Sequence, residues 1–286
     1  MISDITLGQF FPGFSAIHKL DPRTKILLSF IFIVSIFIAN SVLSFLVLTF
    51  AVGITVVISR ISFKVILKGI KPIIVILLFT AILNLFLTSG EGDPLIAFWG
   101  VKIYTEGIAR AFMMAYRVIL LIVGTSILLT YTTSPIALTD GLESLLAPLK
   151  KIGIPIHLFA MMMSIALRFI PTLVEETEKI MNAQKSRGAD FSRGGLVKRA
   201  KALIPILIPL FVSSFKRADE LATAMECRCY RGDKNRTKLV KLTMYGRDYL
   251  WLAIYLLLIA AIIALAVIPY DSIGSSILLN VIFYSL

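Results

Sequence analysis

Residues 26–58, "ILLSFIFIVSIFIANSVLSFLVLTFAVGITVVI", run for 33 positions without a charged side chain. A bilayer core about 30 Å thick takes roughly 20 apolar residues per helical span, so this run is too long for one ordinary crossing. Its break at Asn40-Ser41 predicts a helical hairpin of two short spans with the turn there. Arg23 and Lys25 stand at the entrance, where their stems can snorkel towards water. The run continues past any signal-peptide core without an A-x-A-like cleavage site, so the N-terminal segment reads as a retained anchor.

Two more spans are expected, from about Pro72 to Leu87 and from about Gly107 to Thr130, separated by the turn-rich "TSGEGDP" of 88–94. A last one covers 249–268, with Tyr249 and Trp251 as interfacial anchors. The whole chain, 58% hydrophobic and 16% charged with net charge +12, fits a multispanning membrane protein better than a soluble one. Loop charges set the orientation. Lys19, Arg23 and Lys25 precede span one and Arg60, Lys64, Lys68 and Lys71 follow span two, whereas Glu91, Asp93, Lys102 and Glu106 lie between spans three and four. The basic loops face the cytoplasm, which puts the N-terminus and the segment 131–248 inside and the C-terminus outside. The expected fold is therefore all-α: about five transmembrane helices, with a cytoplasmic domain of about three amphipathic helices between spans four and five. The domains are 1–130, 131–248 and 249–286. The tail 276–286 is left open between the outer interface, partial insertion and packing on another chain.

Segment 131–248 holds 19 Lys and Arg against 11 Asp and Glu, which calls for an anionic partner or the anionic inner leaflet. Ser134-Pro135 opens a helix to about Lys150, "GIPI" breaks it, and a second helix runs from about Ile156 to Arg187, where Gly188 stops it. A third runs from near Gly195 to Arg228, with kinks expected at Pro205 and Pro209 and a less clear stop. The apolar stretches 157–170 and 203–215 are too short to span and suit a protein groove or the interface, with entry of 203–215 into the bilayer as a further reading that would change the topology. Met161, Met162 and Met163 are either core filler or an adaptable surface.

The second and third helices end alike. "EKIMNAQKSRG" and "ELATAMECRCY" superpose at an offset of 41 residues, laying Ala183 on Ala224 and Arg187 on Arg228. Each alanine sits at i−4 from its arginine on one helical face, and the arginine's neighbours are small: Ser186 and Gly188, Cys227 and Cys229. One such arginine is explained by the negative end of the helix dipole. Two identical tips suggest paired docking into two acidic pockets, each guanidinium fork gripping a carboxylate.

Several chemistries find no support. There is no G-x-x-x-x-G-K-[ST] loop for ATP. Glu106 is the one acidic residue within an expected span, at its edge, so ion-coupled transport lacks its usual relays. Cys227, Cys229 and His157 make a poor zinc set, and a disulfide is not expected in the cytoplasm. Arg110 and Arg117 share a face of span four, and Arg117, near mid-span, is read as buried and structural.

The opening "ITLGQFFPGFSAIHKLDPRTK" (5–25) together with "SRG" and "CRC" resembles the T component of energy-coupling factor transporters, across essentially the whole chain. The resemblance implies a non-catalytic coupling subunit in the cell membrane, working with two ABC-type ATPases and an interchangeable membrane-embedded S component that binds vitamins or other micronutrients. ATP and magnesium would belong to the ATPases; this chain would hold no cofactor and no metal, and would meet membrane lipids but no nucleic acid. Arg187 and Arg228 would each enter a groove of one ATPase, and the amphipathic helices would cradle the S component, with Met161, Met162, Met163, Leu207 and Phe211 as candidate contacts. The flanking cysteines depart from the family's usual small or polar residues. Two other readings stay open: a conventional ABC importer permease with its own substrate pathway, and a lipid-modifying membrane enzyme that lacks an evident Asp or His cluster.

Overall fold

A computed structural model describes residues 10–87, 96–98, 101–189, 191, 195–230, 232 and 242–267. The expected turn at 88–94 and the tail 276–286 lie outside the described residues. The described residues form two compact units, one from 10–134 with 242–267 and the other from 135–232.

In the first unit the hairpin forms as the sequence predicts: α1 Pro22–Ile38 and α2 Val42–Ser59 flank Asn40-Ser41. Asp21 caps α1 by accepting from the Arg23 amide, Pro22 supplies a first-turn residue that needs no donor, and Ser41 caps α2 through the Ser44 amide. The third expected span is longer than its apolar run, because α3 Phe63–Ile70 joins α4 Ile74–Leu87 through a single 3-10 turn at Lys71–Ile73. Two three-residue strands follow, β1 Ile96–Phe98 and β2 Val101–Ile103, antiparallel with Ile96 opposite Ile103. They are a small departure from the all-helical expectation. Next comes α5 Thr105–Thr125, which widens into a π turn over Ser126–Tyr131. The unit closes with α9 Gly246–Val267.

Helix α1 packs against α5 and α9, α2 packs against the same two helices, and α4 lies along α5. Leu28, Phe32 and Ile36, spaced one turn apart, form the fully buried stripe of α1. Gly124 of α5 faces Phe32 so closely that any Cβ there would strike the ring. Lipid is as apolar as leucine, so helices in a bilayer gain specificity from close packing and from polar bonds between them. Such bonds are present at every level. Thr49 pairs with Tyr116 at 2.5 Å between α2 and α5, and Thr55 with Tyr255 at 3.2 Å between α2 and α9.

The densest polar cluster lies where α1 begins. Lys25 is 2% exposed, and its Nζ donates to the carbonyls of Thr132 at 2.8 Å and His18 at 3.2 Å. Asp248, in the first turn of α9, accepts from the Asp21 amide at 2.9 Å and from the Tyr245 amide at 2.8 Å. The second bond reaches back across the helix start as in a capping box. Arg23 donates to the carbonyl of Leu242, and Phe11 N–H donates to the carbonyl of Tyr131 at the end of the π turn. The segment 10–20 is tied down by His18, whose ring nitrogens meet Ser15 Oγ at 2.6 Å and the Phe11 carbonyl at 3.0 Å. Burial keeps this imidazole below its usual pKa. The opening stretch singled out in the sequence is thus, over its described part, a strap that ties the starts of α1 and α9 to the end of α5.

Arg117 finds its partners at the turn of the α1–α2 hairpin. Its Nη2 donates to the carbonyl of Ala39 at 2.7 Å and to Asn40 Oδ1 at 3.3 Å, and its guanidinium lies 5.4 Å from the centre of the Phe45 ring. It therefore stands level with the α1–α2 turn, because α5 with its π turn is much longer than α1. Its structural role is that of a pin at the end of the bundle opposite Lys25.

Among the described residues, five helical runs are long and apolar enough to cross a membrane: α2, α3 with α4, α5, α9, and a helix of the second unit, α7 Ile156–Ser186. The stretch 157–170 is the apolar first half of α7, as expected; the longer helix, with Pro171 inside it, is what reaches the length of a crossing. Conversely α1, counted as a span in the sequence, has just 17 residues.

Replacing Lys25 with Met removes the donor of two buried carbonyls and leaves Asp248 without its nearby cation. The purified full-length protein should lose about 3 kcal/mol of stability, read as a clear drop in the thermal unfolding midpoint in detergent.

Candidate functional site

The second unit is made of three helices: α6 Pro135–Leu146, α7, and α8 Leu196–Cys227. A 3-10 stretch at Ala147–Ile152 and Gly153, in the left-handed conformation, turn the chain from α6 into α7 as "GIPI" predicts. His157 Nδ1 lies 3.0 Å from Glu143 Oε1, which joins α7 back to α6 and gives this histidine a partner other than the cysteines. Pro205 and Pro209 sit inside α8, whose helical assignment continues through both.

Both arginine tips have the same backbone. Helix α7 ends at Ser186 with Arg187 as its cap, and α8 ends at Cys227 with Arg228 as its cap. Ala189 N–H donates to the Gln184 carbonyl at 3.0 Å and Gly188 N–H to the Lys185 carbonyl at 2.9 Å. One repeat later, Tyr230 N–H donates to the Met225 carbonyl at 3.0 Å and Cys229 N–H to the Glu226 carbonyl at 2.8 Å. Each pair is a Schellman motif, which satisfies the last carbonyls and needs a left-handed residue just after the cap. Gly188 fills that place with φ +88°, and Cys229 fills it with φ +57°. The stop that the sequence left unclear is therefore a cysteine in a glycine's position.

The consequence is geometric. A backbone that closes its own carbonyls does not need the arginine side chain for capping, and both guanidinium groups are exposed, as are Ser186, Gly188, Cys227, Cys229, Ala183 and Ala224. Each tip is a blunt helix end with one long cation projecting from small neighbours. Cys227 and Cys229 are free, exposed thiols. The apolar candidates divide: Met161 is half-buried, while Met162, Met163, Leu207 and Phe211 are exposed. Phe211 packs its ring 5.2 Å from Phe215, one turn on, within an exposed apolar face of α8.

One contact escaped the sequence reading. Arg217 of α8 donates to Glu176 of α7 at 2.7 Å. The signal was available in the 41-residue offset, which places these two opposite charges at equivalent positions of the repeat.

Since non-glycine residues adopt the left-handed conformation at a cost of about 1 kcal/mol, Cys229→Gly should tighten the second tip. The amides of Cys227 and Tyr230 should exchange with deuterium more slowly in that variant, and faster in Cys229→Val.

Residues 13–239 match the family model described as "CbiQ: Cobalt transport protein". Similar curated proteins carry the name energy-coupling factor transporter transmembrane protein EcfT. The one from Clostridium kluyveri is 55% identical over 250 residues, covering 87% of this chain and 92% of the relative. That from Ruminiclostridium cellulolyticum is 56% identical over 251 residues with the same coverage, and that from Bacillus subtilis 48% identical over 249 residues, covering 87% and 93%.

Proposed function

Because the chain belongs to the family of energy-coupling factor transporter transmembrane proteins, a group of multi-pass transport subunits, we propose that it couples two ATPase subunits to a substrate-binding membrane partner. The observation that carries this reading is the pair of identical arginine tips. Arg187 and Arg228 are presented by the same cap, with the same exposure and the same small surroundings. Such a pair suits two copies of one acidic groove, as two like ATPases would offer. Each fork can make charge-assisted bonds to a carboxylate, while Ser186, Gly188, Cys227 and Cys229 leave room for the groove walls and Ala183 and Ala224 for close approach one turn behind.

Topology supports a cytoplasmic place for α6–α8. The chain leaves the first unit beside Thr132 and Thr133 and re-enters it at Leu242, and both points lie at the Lys25 end. A return at the same end requires an even number of crossings between them. Among the described residues α8 is not one of the five runs apolar enough to cross, which favours a reading in which neither α7 nor α8 does. The Lys25 end also carries the basic loops, which face the cytoplasm by the positive-inside rule. ATP hydrolysis in the partners would move the tips, and α7 and α8 would pass that motion to an S component for a vitamin or other micronutrient. The exposed apolar faces with Leu207 and Phe211, and with Met162 and Met163, suit contact with such a partner. ATP and magnesium stay with the ATPases.

Two measurements bear on this. Arg187→Ala and Arg228→Ala should each weaken ATPase retention on the purified subunit by about tenfold, and together by about a hundredfold, with membrane insertion intact. Full uptake in the double variant would sink the reading. A membrane-impermeant maleimide should label Cys227 and Cys229 in inside-out vesicles and leave them unlabelled in intact cells; the reverse pattern would overturn the orientation.

A further inference from the structure

The tip arginines lie 41 residues apart, and so do Glu176 and Arg217. In the register that lays Arg187 on Arg228, the two ends of the interhelical ion pair fall on each other. Helices α7 and α8 therefore meet at equivalent points, and each arm from the ion pair to its arginine is eleven residues long, about 16 Å at the helical rise. Some covered positions coincide. Leu173, Ile180 and Gln184 of α7 are half-buried, and so are their equivalents Ser214, Leu221 and Met225 of α8, while Val174, Thr177, Glu178 and Met181 of α7 are half-buried where Phe215, Ala218, Asp219 and Ala222 of α8 are exposed.

Where equivalent points of a repeat meet, identical residues would confront each other, and two like charges there repel. The chain departs from its own repeat at this place. Glu176 corresponds to Arg217 with the sign reversed, as Glu175 does to Lys216, Lys179 to Glu220 and Lys185 to Glu226, whereas Glu178 and Asp219 and the two tip arginines keep theirs; of these pairs, Glu176 and Arg217 are the one seen in contact between the helices among the described residues. At the Glu176–Arg217 contact the side chains are 21% and 37% exposed, so the pair adds little to overall stability. Its use is register: a carboxylate and a guanidinium that pair at one level of two helices disfavour every slipped arrangement.

We propose that Glu176 and Arg217 are positioning residues that fix the crossing of α7 and α8, so that the two arginine tips keep equal arms. The ion pair makes α7 and α8 a two-armed lever, and two equal arms are what two like ATPase grooves require. The inference rests on the docking role of the tips for its purpose, though not for its geometry.

The test uses the full-length chain in nanodiscs. Spin labels go on Cys227 and, through Ser186→Cys, on the equivalent position of the other tip, with Cys229→Gly removing the third thiol; pulsed electron spin resonance then reads the tip-to-tip distance. The expected result is one narrow distance, lost in Glu176→Arg, where two guanidinium groups face each other, and regained when Arg217→Glu is added. A narrow distance that survives Glu176→Arg, or fails to return in the exchanged pair, overturns the proposal. In the assembled transporter with its natural cysteines, Glu176→Arg should lower uptake per ATP hydrolysed while both ATPases stay bound, and the exchanged pair should recover it. Loss of ATPase binding as severe as in Arg187→Ala would instead assign Glu176 to the docking contact and overturn a positioning role. Failure of the arginine tips to dock would leave the distance measurement standing, which separates the two ideas.

Discussion

A lysine ammonium buried among helix ends is costly unless oxygens gather around it, and the first unit of this protein is arranged to offset that cost. Lys25 reaches the carbonyls of Thr132 and His18; burial disfavours its charge, and the carboxylates of Asp248 and Asp21 work the other way. To supply those groups the chain must bring together the strap before α1, the end of α5 and the start of α9. The π turn at Ser126–Tyr131 belongs to the same arrangement, since the wider turn ends with the Tyr131 carbonyl bound to Phe11 and the Thr132 carbonyl bound to Lys25. The exit to the second unit and the return from it are thereby fixed at one end of the bundle.

At the opposite end Arg117 holds the α1–α2 turn, and between the two cations hydroxyl pairs join α2 to its neighbours. Apolar residues make this unit compatible with lipid, but a leucine gains little by exchanging lipid for another leucine. The few polar bonds and the close approach of Gly124 to Phe32 decide which helix lies beside which. Much of α4 presents apolar side chains outwards, including Val75, Phe79 and Phe86, as a lipid-facing helix can.

The second unit works on another principle. Its repeat sets two equivalent tips, each closed by a Schellman motif, and then departs from itself where the two copies touch. A repeat kept perfect would put like charges face to face at positions 176 and 217; a repeat lost altogether would give unequal tips. Keeping the arginines and the cap while reversing the charge at the Glu176–Arg217 contact preserves both requirements. Cys229 shows how far the backbone constraint reaches, because the helix ends in the left-handed turn even where the residue is not glycine.

Hydropathy and spacing were enough to place α1 and α2 with their turn, the later apolar helices, the break at 153–155 and the two arginine tips, since each follows from local periodicity or from a residue's own backbone preference. They were not enough for the partners of Arg117 and Lys25, the π turn, the short strands or the contact of Glu176 with Arg217. Apart from the strands, which pair close in the sequence, these depend on which segments, tens to hundreds of residues apart, come within about 3 Å of each other. Helix α7 is long and apolar enough to cross a membrane, and whether it does depends in the same way on where the fold holds its ends. The sequence by itself determined that this is a membrane protein of several helices ending in two matched cationic tips, because water, lipid and the helix period act on every residue locally. Only the tertiary structure decided what the buried charges hold together and where the two long helices meet, because a charge finds its partner through the fold and not through its neighbours in the chain.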